Sequence, residues 1–210
     1  MLAHTDTWAV ATAELGRRGF TVNDDLLTDE QRDAIDQTLQ GGWTYGWKSD
    51  VNDHYAFWHR HFAGNLNPDN THAGRGQAKY DCAAELQRTV PGIYALWFGL
   101  QHTLLTGHTL VRCYANGGPY GAEGSIHTDS AASNSYTTIY YPHAEWHPNW
   151  GGETVLFNAD RTDITAAIYP RPGRLFTFRG TIPHVGRGVS RVCPKLRVTL
   201  MFKTELDPAA

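Results

Sequence analysis

Residues 135–157 read SYTTIYYPHAEWHPNWGGETVLF, two runs rich in β-branched and aromatic residues parted by a stretch of Pro, His, Asn and Gly. Such runs favour a pleated strand, and Pro, Asn and Gly between them mark a turn or loop. The same texture recurs on both sides. Upstream lie TLVRCYA (109–115) and SIHTD (125–129); downstream lie TAAIYP (165–170), RLFTF (174–178), HVGRGV (184–189) and KLRVTLMF (195–202). Eight short strands at this spacing, with a helical block before them, predict an α+β fold: a two-sheet jelly roll supported on one face by N-terminal helices.

The helical block is legible in its caps. In TDEQRDAIDQTLQGG, Thr28 stands at an N-cap position with Gln31 three residues on, Ile35 and Leu39 share a face, and Gly41-Gly42 form a stop. An earlier helix spans roughly 7–17 and leads past Gly19 into a short strand at Phe20-Thr21-Val22. A further helical stretch over 81–106 divides at Val90-Pro91, because the residue before a proline avoids the helical region. Between them, 43–72 carries Trp43, Tyr45, Trp47, Tyr55, Phe57, Trp58 and Phe62 with little periodicity, which predicts an irregular aromatic cover. The chain reads as one domain of 210 residues, with 1–107 as helical support and aromatic cover and 108–203 as the jelly-roll core.

Composition narrows the partners. The net charge is −3 and the 18 Lys and Arg are scattered, so a nucleic-acid backbone or an anionic membrane surface is not expected. Cys82, Cys113 and Cys193 are odd in number and far apart, without a Cys-x-x-Cys pair, which points to buried reduced thiols. No apolar run nears the ~20 residues that span a bilayer, and MLAHTDTWAV lacks a signal-peptide layout. The expected compartment is the cytoplasm, and the oligomeric state is not legible.

The tripeptide His-Thr-Asp occurs twice. With eleven His in the chain, about one chance His-x-Asp is expected, and His4-Thr5-Asp6 near the first helix is read as that chance copy, with Thr5 or Asp6 as a helix cap. His127-Thr128-Asp129 ends a predicted strand, where residues i and i+2 share a face, so imidazole and carboxylate converge. His184, in PGRLFTFRGTIPHVGRGV, follows a strand that a jelly roll brings alongside. Two imidazoles and one carboxylate form a facial triad for non-haem iron with open positions. Arg197 in KLRVTLMFK lies between Leu196 and Val198 on the opposite face, with Thr199 on its own. Pointing inward, its guanidinium needs a carboxylate partner, which a dicarboxylate cosubstrate supplies.

These blocks together resemble the iron(II)/2-oxoglutarate-dependent oxygenase superfamily, specifically its prolyl-4-hydroxylase-like branch. LVRCYANGGPYGAEGSIHTD resembles the family's Tyr-bearing strand, Gly-rich turn and His-x-Asp; YTTIYYPHAEWHPNWGGETVLF, its next strand and Gly-Gly-Glu strand start; GRLFTFRGTIPHVGRGV, the distal His segment; and LRVTLMFK, the strand with the basic residue. The likeness covers 108–203, and the first half carries no subfamily motif. The resemblance implies that His127, Asp129 and His184 hold Fe(II), and that Arg197 takes the remote carboxylate of 2-oxoglutarate with Tyr114, Tyr141 and Thr199. It implies a dioxygenase that uses O2, with ascorbate to keep the iron ferrous, and couples decarboxylation of 2-oxoglutarate to succinate with oxidation of a C–H bond. The His184–Arg197 interval is longer than usual in this branch, which leaves Lys195 and Arg191 as rivals of Arg197. Asp129 disfavours halogenation, because related halogenases replace that carboxylate.

For the substrate, the aromatic cover suggests a small polar molecule, as in natural-product biosynthesis, contacted by Trp47, Tyr55, Trp58 and His59, with Lys48, Asp50, Asn52 and Arg60 among the rings. The outcome stays open between hydroxylation, oxidative cyclisation and desaturation. The alternatives are a prolyl hydroxylase acting on a peptide or protein, and a non-catalytic jelly-roll module that binds sugar or peptide. His143 and His147 lie in a proline-flanked loop rather than on a helix, and His59 and His61 share a face if extended.

Overall fold

The computed structural model describes residues 5–24, 26–49, 53–66 and 81–208. In chain order the elements are α1 (Thr5–Arg18), β1 (Phe20–Asn23), α2 (Asp29–Leu39), β2 (Thr44–Trp47), β3 (Phe57–Ala63), α3 (Cys82–Thr89) and α4 (Pro91–Gln101). The second half contributes β4 (His108–Gly118), β5 (Ser135–Tyr140), β6 (Thr154–Phe157), β7 (Ile164–Ile168), β8 (Leu175–Arg179), β9 (His184–Gly186) and β10 (Arg197–Leu206). Seven strands form one sheet in the order β1-β8-β5-β10-β4-β3-β2, and three form a second in the order β7-β6-β9. Their named pairings are antiparallel. The architecture is a double-stranded β-helix with helices on one side.

Strand periodicity divides the large sheet into two faces. Cys113, Ala115, Tyr136, Tyr140, Leu175, Leu200 and Phe202 turn outward and pack with Ile35, Leu86, Ile93, Trp97 and Leu100 of the helices. The rings of Trp97 and Phe202 stack 6.3 Å apart across this seam. The residues between them in sequence, Tyr114, Ile139, Tyr141, Phe176, Phe178 and Met201, turn inward against Leu156 and Ile168 of the small sheet. The helices therefore bury one face and leave the other free to line a cavity.

Local signals account for the helix ends. Thr28 accepts from the Gln31 amide while the Gln31 side chain accepts from the Thr28 amide, the reciprocal arrangement its spacing predicts. Asp81 caps α3 through the amides of Ala83 and Ala84, and Pro91 opens α4. Helix α1 already includes Thr5 and Asp6, so any cap falls at residue 4 or earlier, outside the described residues, as do Asp50 and Asn52.

Three expectations need correction. The stretch 43–72 is not an irregular cover where it is described, because β2 and β3 extend the large sheet beyond β4; rings on both faces of β3 mask its two-residue period, and 50–52 and 67–72 lie outside the described residues. SIHTD forms no full strand but a single bridge between His127 and His184, since the amides of Asp129 and Ser130 turn to the Gly180 carbonyl. Of the three free thiols, Cys82 and Cys113 are buried, whereas Cys193 is only half-buried in the loop before β10. No helix among the described residues is long and apolar enough to cross a membrane.

His108 is buried against Tyr136 and hydrogen-bonded to Thr204, and burial pushes its imidazole down to about 4. An unfolded imidazole titrates near ~6.5, so between roughly pH 6.5 and 4 only the unfolded chain takes up this proton. Stability from this residue is thus full above that window and falls as pH drops through it. His108→Gln should reduce the acid-induced stability loss across the window by about 3 kcal/mol, measured by urea denaturation at each pH; an unchanged slope would refute the assignment.

Candidate metal and cosubstrate site

The bridge between His127 and His184 sets the site. Each residue's amide donates to the other's carbonyl, at 3.0 and 2.8 Å, so the two stand directly opposite and their rings lie 4.5 Å apart on one face. His127 Nδ1 donates to the Ser125 carbonyl at 2.8 Å and His184 Nδ1 to the Ile182 carbonyl at 2.9 Å. Because a carbonyl can only accept, both Nδ1 atoms carry a proton, which in a neutral imidazole leaves Nε2 as the atom with the lone pair. Asp129, two residues beyond His127, brings Oδ1 to 3.8 Å from His127 Nε2 and Oδ2 to 3.5 Å from His184 Nε2. The three ligand atoms all lie within 4.8 Å of one another.

Electrostatics keep Asp129 and His184 unprotonated. Burial pushes the Asp129 carboxyl up, but Lys203 beside it, followed by the two imidazoles, more than reverses this and holds it well below the usual carboxylate range. Lys203 is itself buried, pairs with Asp129 Oδ2, and donates to Thr137 Oγ1 at 2.9 Å; Thr137 in turn donates to Asp129 Oδ2 at 2.6 Å. Oδ2 is thus held on its inner side while Oδ1 accepts no hydrogen bond among the described residues. Burial also pushes the His184 imidazole down to about 4, so it is neutral at ordinary pH. Two imidazole nitrogens and a carboxylate oxygen that converge on one point suit a divalent first-row metal, and both imidazoles are oriented from behind by carbonyls.

The cavity beside the triad has a volume of about 470 Å³. Strand register stacks its wall in layers. Arg112, Lys203, Thr137 and Phe178 face one another across β4, β10, β5 and β8, and Tyr114, Met201, Ile139 and Phe176 form the next layer. Arg197 stands at the far end, opposite Gly118. Its Nε donates to the Gly152 carbonyl and its Nη2 to Thr154 Oγ1 at 2.7 Å, and the Tyr141 hydroxyl shares Thr154 Oγ1 at 2.7 Å. Gly152, at φ +83°, leaves room for the Arg197 stem, because a Cβ there would stand 3.1 Å from Arg197 Cδ. No acidic side chain among the described residues forms an ion pair with Arg197; Glu153 acts on it only at longer range.

The remaining sequence-based candidates separate. Tyr114 and Thr199 line the cavity with Arg197, and Tyr141 reaches it through Thr154. The rivals do not approach it: Lys195 pairs with Glu145 at the surface, and Arg191 is exposed. Tyr55 lines the mouth together with Phe57. Trp47 and His59 are stacked on each other, 3.8 Å between rings, with His59 hydrogen-bonded to Asn116; neither lines the cavity. Trp58 turns to the opposite face of β3 and packs on Tyr45, and Arg60 on that same face binds the carbonyls of Thr38 and Gly41. Strand alternation thus removes Trp58 and Arg60 from the expected cover. His143 accepts from the Val198 amide in the loop its prolines predict.

Residues that the motifs alone do not single out are Arg112, Thr137, Thr154 and Lys203. The signal for two of them lay in parity: Arg112 shares the face of Tyr114 on β4, and Lys203 that of Arg197 on β10. Asp53, also unflagged, accepts from the amides of Ser49 and Ser125 at 3.0 Å each and so ties the mouth loop to the segment before His127.

Comparisons with known proteins agree with this geometry. Residues 110–203 match the family model of the 2OG-Fe(II) oxygenase superfamily. Similar solved structures include an oxidoreductase of the 2OG-Fe(II) oxygenase family from Burkholderia pseudomallei, with TM-score 0.66, 16% identity, and coverage of 94% of this chain and 90% of that one. A prolyl-4-hydroxylase from Pseudomonas putida gives TM-score 0.63 and 17% identity, covering 95% and 99%. A prolyl hydroxylase from Trichoplax adhaerens, in complex with a hypoxia inducible factor oxygen degradation domain peptide, gives 0.62 and 16%, covering 96% and 90%. No curated protein matches by sequence. The segment that matches the family model contains His127, Asp129, His184 and Arg197, and the fold around it is the one those structures share.

Proposed function

We propose that this 2-oxoglutarate-dependent dioxygenase holds Fe(II) with His127, Asp129 and His184 and oxidises a C–H bond of a small polar molecule. The observation that carries the reading is a half-buried Arg197 with no acidic partner among the described residues, in the same cavity as three convergent candidate metal donors. A buried cation left unpaired is costly, so such a site suits a ligand with a carboxylate. Fe(II) supplies the redox chemistry by which O2 converts 2-oxoglutarate to succinate and CO2 while a substrate C–H bond is oxidised.

The chain's own residues do the placing. Arg197, oriented by Gly152 and Thr154, takes the remote carboxylate of 2-oxoglutarate; Thr199 and Tyr114 line its path, and Tyr141 steadies Thr154. The inner apolar groups Ile139 and Met201 exclude water from that path. Tyr55 and Phe57 form the mouth where the substrate enters. A cavity of about 470 Å³ that must also admit 2-oxoglutarate leaves space for a compact substrate, which favours a small molecule over a folded protein segment.

The purified chain with Fe(II), ascorbate and O2 should convert 2-oxoglutarate to succinate, and His127→Ala or Asp129→Ala should abolish this. Equal succinate formation in the variants would sink the triad. Arg197→Ala should raise the KM for 2-oxoglutarate about a hundredfold, the scale of losing one partner of a buried charge pair. Lys203→Met should lower the stability of the metal-free protein by roughly 3–5 kcal/mol by stranding Asp129. Mn(II) should then stabilise this variant more than wild type in urea denaturation, because the metal becomes the main counter-charge of Asp129. An equal gain would contradict that role.

A further inference from the structure

Arg112 is a second cation in the cavity wall without a counter-ion among the described residues. It stands on β4 with its side chain on the same face as Tyr114 and Asn116, and all three line the cavity with the metal donors. Its register partner on β10 is Lys203, whose ammonium is already committed to Asp129 and Thr137. Nothing comparable serves Arg112. Its Nε and Nη1 are buried and have no hydrogen-bond partner, and no acidic side chain among the described residues pairs with it. The guanidinium instead lies over the Tyr114 ring, 5.0 Å from its centroid. A carboxylate inside the cavity would satisfy both the charge and the idle donors.

2-Oxoglutarate does not fill that role on the reading above. Arg197 takes its remote carboxylate, and the other end belongs at the triad. Arg112 and Arg197 stand at opposite ends of the layered wall, six residues apart along the β4 register, roughly 20 Å between backbones. The cavity also remains cationic after 2-oxoglutarate is counted. The positive charge of the metal is opposed by Asp129, which is already paired with Lys203, and Arg187 also lines the cavity. The nearby carboxylate of Glu123 accepts from the Gly188 amide rather than from either arginine.

We propose that Arg112 binds a carboxylate of the primary substrate, so that the molecule oxidised is a small organic acid. This rests on the oxygenase reading, and the test separates the two. The holoenzyme with Fe(II), 2-oxoglutarate, ascorbate and O2 is offered free L-amino acids and small aliphatic hydroxy acids, each beside its own carboxamide, and a set of small phosphate esters. Succinate formed with no panel compound present tests the oxygenase reading alone; stimulation by the panel tests the inference. At least one acid should stimulate succinate release, with a kcat/KM about tenfold or more above that of its carboxamide. Arg112→Gln should erase that preference by raising the KM for the acid, with a much smaller change in the KM for 2-oxoglutarate, and Arg112→Lys should recover part of it. Equal response to acid and carboxamide, no response to any acid, or a preference for phosphate esters would each overturn the proposal. So would an equal rise in the two KM values in Arg112→Gln, which would give Arg112 to the cosubstrate. The acid–carboxamide comparison is made on the wild-type chain, so it stands even where a variant fails to fold.

Discussion

The half-buried carboxylate of Asp129 is the constraint around which the centre of the molecule is arranged. It sits between two imidazoles, an ammonium and a hydroxyl, and each of the four comes from a different part of the barrel: the bridge residue His127, β9, β10 and β5. Without Lys203, burial would favour the protonated acid, which binds metal poorly. Without Thr137 the ammonium and carboxylate could collapse into a simpler pair that leaves neither oxygen oriented. With both, one oxygen is held inward and the other is left open beside His127. The register that sets Lys203 opposite Thr137 also sets Leu200 and Phe202 against the helices, so the site depends on the same alignment as the core.

This coupling explains which features were legible in the sequence. The jelly roll was readable because each strand of the second half carries its own signal, and the triad because His127 and Asp129 are two residues apart on a strand end. Arg197 was readable because Leu196 and Val198 flank it with apolar side chains. Lys203 and Arg112 were not, although they obey the same parity. A lone basic residue on a strand reads as solvated unless the opposite face is known to be covered, and only the packing of α2, α3 and α4 shows which face that is.

The first half was harder to read for a related reason. In β3, Phe57, His59 and His61 alternate with Trp58, Arg60 and Phe62, so bulky groups occupy both faces and the usual contrast of apolar with polar disappears. Both faces are in fact partly covered, although Trp58 stays exposed. His59 packs on Trp47 and Tyr114, and Arg60 reaches the C-terminal end of α2. A strand with neighbours on each side carries no amphipathic signature, and its role in widening the sheet emerges only from pairing with β4.

The mouth of the cavity is tied to the metal donors by Asp53, a link that neither motif nor periodicity reveals. Its two carboxylate oxygens accept from Ser49, at the end of the β2 hairpin arm, and from Ser125, whose carbonyl fixes the His127 imidazole. The loop carrying Tyr55 therefore cannot shift far without disturbing the amide of Ser125, and through its carbonyl the tautomer of a metal donor. The wall of the cavity and the orientation of the His127 ring thus share one buried carboxylate, and a change at Asp53 reaches both.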